Sequence, residues 1–236
     1  MSEWTIGTDR EELDRQYGTE QRLQARSSFW APSPPGQSPQ DIAIEALGAS
    51  GAREVLEIGC GRGQFAERIQ TELRLHVLAT DRSAAMVTAT ARRGVRSEVA
   101  DADDLPYADD SFDAVVAMWM LYHVPDLDRT LRQVRRVLKR GGVLVAATNG
   151  ERHTADLRAE VGLGPAVTQF MAEDGADRLR RHFDQVETTL TTGRAVADHA
   201  TARAYLSTFA PELVGRLTPY EGTRTYTGSG AVFVAR

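Results

Sequence analysis

The chain has 236 residues, a hydrophobic content of 42% and a formal charge of −5 at pH 7. This length accommodates one α/β domain with a small cap, whereas two full domains would be crowded. The negative charge argues against a broad surface for polyanions, so nucleic acid is not expected as a partner. The single cysteine, Cys60, cannot form an internal disulfide, and no segment has the pattern of a signal peptide or a membrane span. These features predict a cytoplasmic protein with no membrane partner.

The first 36 residues are predicted to form a helical lid segment that stands apart from the rest of the chain. They carry Tyr17, Arg26 and Trp30 in a stretch with helix-like composition, which ends at the breaker Pro32-Ser33-Pro34-Pro35-Gly36. We predict that the remainder, residues 37–236, is one domain.

Strands and helices alternate along this domain. The predicted strands are Glu54–Ile58, Leu75–Thr80, Val95–Ala100, Ala114–Met118 and Val143–Thr148, with late candidates at Gln185–Leu190 and Ala231–Ala235. The predicted helices are Gly63–Thr71, Ala84–Arg93 and Leu127–Lys139. Alternation with short links predicts an α/β fold with right-handed βαβ units and a mostly parallel sheet. The periodicity fades after the fifth strand, and we expect a cap insertion near residues 149–185.

The turn after the first strand is the most informative feature of the sequence. Val55-Leu56-Glu57-Ile58 reads as a buried strand, and Gly59-Cys60-Gly61-Arg62-Gly63 turns it into a helix. Glycine permits positive φ and close approach to the backbone, and the helix N-terminus that follows attracts negative charge. A dinucleotide fingerprint would need its third glycine at position 64, which is Gln64. The turn therefore predicts a nucleotide site of another kind.

Acidic residues follow the next two strands, at the sheet edge where ligands of open α/β folds bind. Asp81 lies about 20 residues beyond the glycine turn, the offset at which a carboxylate reaches a ribose. The alternative is that Asp81 starts the next helix, but Ser83 fits the N-cap position. The third strand leads into Asp101-Ala102-Asp103-Asp104-Leu105-Pro106-Tyr107, whose other interpretation is a solvated acidic loop.

Five segments in this order resemble class I S-adenosylmethionine-dependent methyltransferases. They are the Glu-x-Gly-x-Gly-x-Gly turn, Asp81, the Asp-Ala-x-x-Leu-Pro-Tyr loop, Met118-Trp119-Met120-Leu121-Tyr122-His123-Val124-Pro125, and Val137-Leu138-Lys139-Arg140-Gly141-Gly142-Val143-Leu144, in which Arg140 stands where proline is commoner. Together they cover about residues 53–148. The resemblance implies a doubly wound, Rossmann-like sheet of seven strands, mostly parallel with an antiparallel C-terminal strand, and S-adenosylmethionine as the cofactor.

The resemblance also implies which residues hold the cofactor. Asp101 would meet the adenine amino group and Met118 the methionine end. Arg26, on a lid helix that folds over the ligand in related enzymes, would pair with the cofactor carboxylate; an ordinary surface helix is the alternative. No metal is required. The expected cofactor-binding residues are Glu57, Gly59, Cys60, Gly61, Gly63, Asp81, Arg82, Asp101, Ala102, Met118, Trp119 and Arg26.

Methyl transfer from a sulfonium is an in-line displacement, so the main task of the enzyme is to position donor and acceptor. An oxygen or nitrogen acceptor needs a base in some cases, and histidine is the natural candidate. His123 and His153 follow the fourth and fifth strands and are the predicted catalytic residues. A supporting role in the loop is the alternative for His123, and His76 is interpreted as a structural residue of its strand.

We therefore expect a methyltransferase that acts on an oxygen or nitrogen of a small molecule, such as a specialised metabolite. Two alternatives stay open: a nicotinamide-dependent oxidoreductase, and a cofactor-binding partner subunit that no longer transfers methyl groups. RNA or protein methylation is disfavoured by the charge and by the lack of an Asn/Asp-Pro-Pro-Tyr/Phe motif after the fourth strand. The identity of the acceptor and the oligomeric state cannot be deduced from the sequence.

Overall fold

The computed structural model describes residues 26, 28–34 and 36–236. Seven strands of this part of the chain form one sheet, in the order β3-β2-β1-β4-β5-β7-β6. The strands are β1 (Glu54–Ile58), β2 (His76–Asp81), β3 (Arg96–Val99), β4 (Phe112–Met118), β5 (Leu138–Asn149), β6 (Val186–Ala197) and β7 (Arg224–Ala235). The first five are parallel, and β7 is antiparallel to both β5 and β6. The predicted doubly wound, mostly parallel sheet with an antiparallel C-terminal strand is confirmed.

Helices link the strands and cover both faces of the sheet. They are α1 (Pro39–Ser50), α2 (Gln64–Glu72), α3 (Ala84–Ala91), α4 (Leu127–Val137), α5 (Ala155–Glu160), α6 (Gly175–Leu179) and α7 (His199–Leu206), with 3₁₀ helices at Leu121–His123 and Pro211–Arg216. α1 begins with a capping box, in which the Ser38 side chain accepts a hydrogen bond from the Asp41 N–H and the Asp41 carboxylate accepts one from the Ser38 N–H. Among the described residues, no helix is long and apolar enough to cross a membrane.

The central strands are buried on both faces, so their side chains supply two separate cores. In β4, Val115 and Ala117 join the core under α4 and α6, whereas Ala114, Val116 and Met118 join the core under α1 and α2. This period of two is the pattern expected for a strand with successive side chains on opposite faces. The arrangement fixes the carboxyl ends of β1, β2, β4 and β5 at one edge of the sheet.

A third hydrophobic cluster lies beyond that edge. Its buried members include Phe29, Leu157, Tyr205, Leu206, Phe209 and Tyr226. They come from the segment before α1, from α5, from α7 and the residues after it, and from the outer half of the β6–β7 hairpin. The cluster therefore joins the described end of the lid segment to the C-terminal hairpin.

Two element boundaries differ from the predictions in an instructive way. The helix expected to reach Lys139 ends at Val137, because Leu138 already pairs with Phe112 across an irregularity in the β4–β5 ladder. The two late strands are each 12 residues long and pair from Val186↔Ala235 to Ala197↔Arg224, far beyond the predicted ends. Their extra residues are mostly polar residues and glycines, so the hydrophobic positions are too few for periodicity to reveal these segments. Tyr17 and most of the predicted lid helix lie outside the described residues.

Candidate active site

A cavity of about 800 Å³ opens at the carboxyl ends of the strands. All the predicted site residues except Gly63 line its wall. Those that do are Arg26, Glu57, Gly59, Cys60, Gly61, Asp81, Arg82, Asp101, Ala102, Met118, Trp119, His123 and His153. Within the described part of the chain, no group of three or more histidine, cysteine, aspartate and glutamate side chains could hold a metal ion.

The three glycines of the first turn serve different purposes. All three have positive φ. A Cβ on Gly59 would lie 2.7 Å from the Met120 side chain, and one on Gly63 would lie 2.6 Å from Thr90. These two glycines are thus needed for packing inside the protein. A Cβ on Gly61 would meet no protein atom within 4 Å, and Gly61 lines the cavity. The open space above Gly61 is the place where a ligand can approach the backbone.

Glu57 is a buried carboxyl group at the end of β1, with 2% of its surface exposed. Burial, together with the nearby charge of Asp81, raises the pKa of Glu57 to about 8. The Ala66 N–H in the first turn of α2 donates to this carboxyl group, so Glu57 satisfies a free donor of the helix N-terminus. Its Oε2 atom has no hydrogen-bond partner among the described residues. This unsatisfied oxygen beside the cavity is available to a donor on a ligand.

Asp81 holds the glycine turn and the end of β2 together. One of its carboxylate oxygens accepts from the Gly61 N–H and the other from the Ser83 N–H, each at 2.9 Å. Ser83 occupies the N-cap position of α3 as expected, but its side chain makes no capping hydrogen bond. Burial raises the pKa of the Asp81 carboxyl. Each carboxylate oxygen has a second lone pair, so Asp81 can still accept hydrogen bonds from ligand hydroxyls.

The loop after β3 places a second acidic side chain on the cavity wall. Asp101 and Ala102 both line the cavity, and the Asp104 N–H donates to the Asp101 carbonyl at 3.1 Å, which closes the loop. The pKa of the Asp103 carboxyl is raised by burial and by a hydrogen bond to Asp101. The structure therefore brings Asp81 and Asp101 to one cavity, as the sequence predicts.

The segment after β4 is strained where it enters the site. Trp119 has a φ of 55°, an uncommon backbone conformation for a bulky residue. Its N–H is fixed by a hydrogen bond of 2.9 Å to the Ala147 carbonyl of β5.

Cys60 also lines the cavity, but burial, followed by the charge of Glu57, raises the pKa of its thiol to about 12. The thiol is therefore unreactive, and Cys60 acts through its backbone and shape.

Both predicted catalytic histidines are uncharged bases at neutral pH. Burial, with added repulsion from Arg26 and Arg82, lowers the pKa of His123 to about 3. Burial, with added repulsion from Arg26 and Arg158, lowers the pKa of His153 to about 4. Arg26 therefore lies close enough to both rings for its charge to act on them. His76 is different: it is 80% exposed and pairs with Glu54 at the amino end of the sheet.

The sequence did not reveal the far wall of the cavity. Trp30 lies against Gly193 and Gly228, which face each other in the β6–β7 ladder. A Cβ on Gly228 would lie 2.8 Å from the indole ring, so both glycines leave a flat seat for Trp30. Tyr205 and Ser229 complete this wall. The run Gly228-Ser229-Gly230 inside a strand was the only available signal of a close approach.

The fold, the glycine turn and the acidic residues at the strand ends are those of an α/β domain that binds a nucleotide cofactor. The family described as a methyltransferase domain matches residues 56–146. This match covers most of the segment that resembles class I S-adenosylmethionine-dependent methyltransferases in sequence, and it confirms that resemblance over these residues.

Several known proteins are similar to this chain. It is 36% identical over 158 residues to the methyltransferase GfsG of Streptomyces halstedii, covering 63% of this chain and 55% of GfsG. It is 36% identical over 134 residues to the 27-O-demethylrifamycin SV methyltransferase of Amycolatopsis mediterranei (strain S699), covering 50% and 49%. The arginine-hydroxylase NDUFAF5 of Danio rerio is 27% identical over 171 residues, covering 64% and 53%. The chain thus spans about half the length of the curated relatives it matches.

Solved structures share the whole fold. The structure of the 4+2 cyclase SpnF covers 100% of this chain and 99% of its own, with a TM-score of 0.62 and 21% sequence identity. At this identity the likeness concerns the fold alone. The names of the similar proteins therefore include methyltransferases, a hydroxylase and a cyclase.

Proposed function

We propose that the protein binds S-adenosylmethionine and transfers its methyl group to an oxygen or nitrogen atom of a small-molecule acceptor. One observation carries this proposal: the open space above the Gly61 backbone lies in the same cavity as the carboxylates of Asp81 and Asp101. The turn and the acidic side chains match the family's adenosine site in kind and in chain order. Bound S-adenosylmethionine would supply an electrophilic methyl group on its sulfonium, and the sulfur would leave as a neutral thioether.

The residues present fit this cofactor. Asp81 can accept from both ribose hydroxyls, and Asp101 can accept from the adenine amino group. The unsatisfied Oε2 of Glu57 adds an acceptor at the same end of the cavity. Arg26 is the proposed partner of the cofactor carboxylate. The full list of cofactor-binding residues given in the sequence analysis remains a prediction. For Gly63, close packing against Thr90 is by itself enough to explain why the position is glycine.

The shape of the cavity favours a small acceptor. Its volume of about 800 Å³ lies in the upper range for ligand pockets and leaves room beside a nucleoside cofactor. The far wall, made by Trp30 and the β6–β7 hairpin, closes over the strand ends, which limits access for a folded polymer. The similarity to a methyltransferase of rifamycin SV supports a small molecule as acceptor. That nucleic acid is not a partner, and that the protein is cytoplasmic, remain predictions.

Cofactor binding can be tested by calorimetry with S-adenosylhomocysteine. We expect micromolar-range affinity, and Asp81→Asn should weaken it by about tenfold or more, since a hydrogen bond to a charged group contributes ~1.5–3 kcal/mol. Asp113→Asn is the matched control, because Asp113 also accepts two backbone N–H groups at 2.9 Å but lies at the amino end of the sheet. Equal losses in both variants, or tight binding of NADH instead, would contradict the proposal.

Transfer itself needs an activity screen, because the fold is shared with a cyclase. Radiolabelled S-adenosylmethionine should be incubated with a panel of small hydroxyl and amine compounds, and labelled product should form with at least one of them. Cofactor binding without any transfer across a broad panel would favour the partner-subunit alternative.

A further inference from the structure

We infer that His153 is the general base of the reaction and that the atom methylated is a hydroxyl oxygen. This inference rests on the proposed function and narrows it. It assigns the base to one of the two predicted histidines and selects oxygen over nitrogen as the methylated atom. The argument depends on the hydrogen bond, the ring contacts and the charges around His153.

The hydrogen bond of His153 fixes its tautomer. The Nδ1 atom lies 3.2 Å from the backbone carbonyl oxygen of Ser229. A carbonyl oxygen can only accept, so Nδ1 must carry the proton and donate it. In a neutral imidazole the lone pair then lies on Nε2. His153 also lines the cavity, which makes Nε2 the proton acceptor available to a ligand there.

The ring is held in place by the turn after β5, by Ser229 of β7 and by Trp30. The Ser229 carbonyl also accepts from the Gly150 N–H at 2.9 Å, and the His153 N–H donates to the Gly150 carbonyl at 2.9 Å. A side chain on Gly150 would lie 2.9 Å from the Ser229 Oγ, so this tight turn depends on glycine. Trp30 covers the ring, with centroids 4.8 Å apart and an interplanar angle of 42°. A base oriented by a second group in this way is the arrangement that general-base catalysis needs.

The charges around His153 favour a hydroxyl acceptor. Arg26 and Arg158 line one small pocket together with His153, and their positive charges disfavour an ammonium group as they disfavour a second proton on the imidazole. Among the described residues that line the cavity, the acidic side chains are Glu57, Asp81 and Asp101. All three lie at the cradle end, the end of the cavity formed by the turn from Gly59 to Gly63 and by Asp81. Within the described residues, the β5 and β7 segments that hold His153 contribute no acidic side chain to the cavity wall, so a protonated amine would find no carboxylate of the protein there. A neutral hydroxyl meets no such penalty, and it must lose its proton as it reacts.

The step is balanced with His153 as the proton acceptor. The acceptor oxygen forms a bond to the methyl carbon while the carbon–sulfur bond breaks, and the electrons of that bond remain on sulfur. The hydroxyl proton moves to His153 Nε2, and the imidazolium then releases it to water. The products are a methyl ether, the neutral thioether S-adenosylhomocysteine and one proton.

The tautomer can be measured without turnover. Long-range ¹H–¹⁵N spectra of the protein with S-adenosylhomocysteine bound should show His153 protonated on Nδ1 and bare on Nε2 from pH 8 to pH 5. His153→Asn identifies the signals, and its amide can still donate to the Ser229 carbonyl in place of Nδ1. Addition of 2-naphthol should shift the Nε2 signal, whereas 2-naphthylmethylammonium should not. A proton on Nε2, an equal shift with the ammonium probe, or no shift with naphthol would each overturn the inference.

Kinetics separate a base from a structural residue. With the hydroxyl acceptor that reacts best in the activity panel, His153→Asn should lower kcat by about 10²–10⁴-fold, the usual contribution of a general base. Its affinity for S-adenosylhomocysteine should stay within about twofold of the unsubstituted protein. His76→Asn, which changes an exposed histidine at the opposite edge, should leave kcat unchanged.

The outcomes distinguish this inference from the proposed function. A protein that fails to bind S-adenosylhomocysteine contradicts the proposed function itself. Intact binding with an unchanged kcat in His153→Asn, or with amines as the only acceptors, contradicts the base assignment alone.

Discussion

The two ends of the cavity are built in different ways. At the cradle end, the turn from Gly59 to Gly63 and Asp81 lie close in sequence and are joined by backbone hydrogen bonds. At the acceptor end, Trp30, His153 and the β6–β7 hairpin are distant in sequence and meet through aromatic contacts and one carbonyl. Backbone geometry thus forms the first end, and tertiary packing forms the second.

This difference explains what a sequence pattern can reveal. A backbone cradle demands glycine at fixed positions and an acceptor at a fixed offset, so its residues form a short, visible motif. A packed aromatic wall accepts many residue combinations, and its members carry no spacing rule. The cradle end should therefore respond to substitutions mainly through ligand binding, and the acceptor end mainly through stability and turnover.

The largest effect of an added methyl group on ligand affinity is expected at Gly61. Gly61→Ala should weaken S-adenosylhomocysteine binding by at least about tenfold, ~1.4 kcal/mol, because the added Cβ occupies the ligand's space. Gly51→Ala is the control: Gly51 also has positive φ and open space around its Cβ, but it ends α1 away from the cavity. Both variants bear similar backbone strain, so calorimetry on the two isolates the steric effect on the ligand. Unchanged affinity in Gly61→Ala would mean that no ligand approaches this backbone.

The reverse result is expected at the seat of Trp30. Gly228→Ala should lower the free energy of unfolding by about 1–3 kcal/mol, because the indole must move to admit a Cβ at 2.8 Å. Its effect on S-adenosylhomocysteine affinity should be smaller than that of Gly61→Ala. Urea unfolding measures the loss of stability in Gly228→Ala and Gly61→Ala, and calorimetry measures their loss of affinity for S-adenosylhomocysteine. Gly164→Ala, where a Cβ meets no atom within 4 Å, is the control. If Gly228→Ala is as stable as this control, Trp30 does not depend on its glycine seat.

The fold was predictable from the sequence because β1, β2, β4 and β5 carry buried, apolar runs that alternate with helices. The cradle was predictable because Glu57, Gly61 and Asp81 stand at spacings set by backbone geometry. The outer halves of β6 and β7 were not, since polar residues and glycines separate the few residues of these segments, such as Ala195 and Tyr226, that join the third hydrophobic cluster. Gly193 and Gly228 acquire their meaning only when the hairpin places them opposite one another under Trp30. No local pattern encodes that encounter.

The two ends should also respond to pH in opposite directions. The pKa of Glu57 is raised from 4.5 to about 8, so the folded state holds this proton more tightly, and stability falls as pH rises from about 4.5 to 8. The pKa of His153 is lowered from 6.5 to about 4, so stability falls as pH decreases from about 6.5 to 4.

Urea unfolding across this pH range checks the assignment of the two slopes. Glu57→Gln should flatten the change between pH 5 and 8. His153→Asn should reduce the loss below pH 6.5, with His123 responsible for a further part of that loss because its pKa is also lowered. A Glu57→Gln variant that keeps the full slope of the unsubstituted protein above pH 5 would show that the carboxyl group of Glu57 is not held neutral by burial.

The smallest effect is expected at the opposite edge of the sheet, where neither end of the cavity is involved. The Glu54 Oε1 and His76 Nδ1 atoms lie 2.7 Å apart in a hydrogen bond, but the two side chains are 48% and 80% exposed. Water screens such a pair and the two side chains lose freedom in forming it, so its net contribution is small. Glu54→Gln should therefore change the free energy of unfolding by less than ~0.5 kcal/mol, with unchanged S-adenosylhomocysteine affinity. A loss of S-adenosylhomocysteine affinity in Glu54→Gln would show that the carboxyl edge of the sheet is coupled to its amino edge. Binding would then depend on more than the two ends of the cavity.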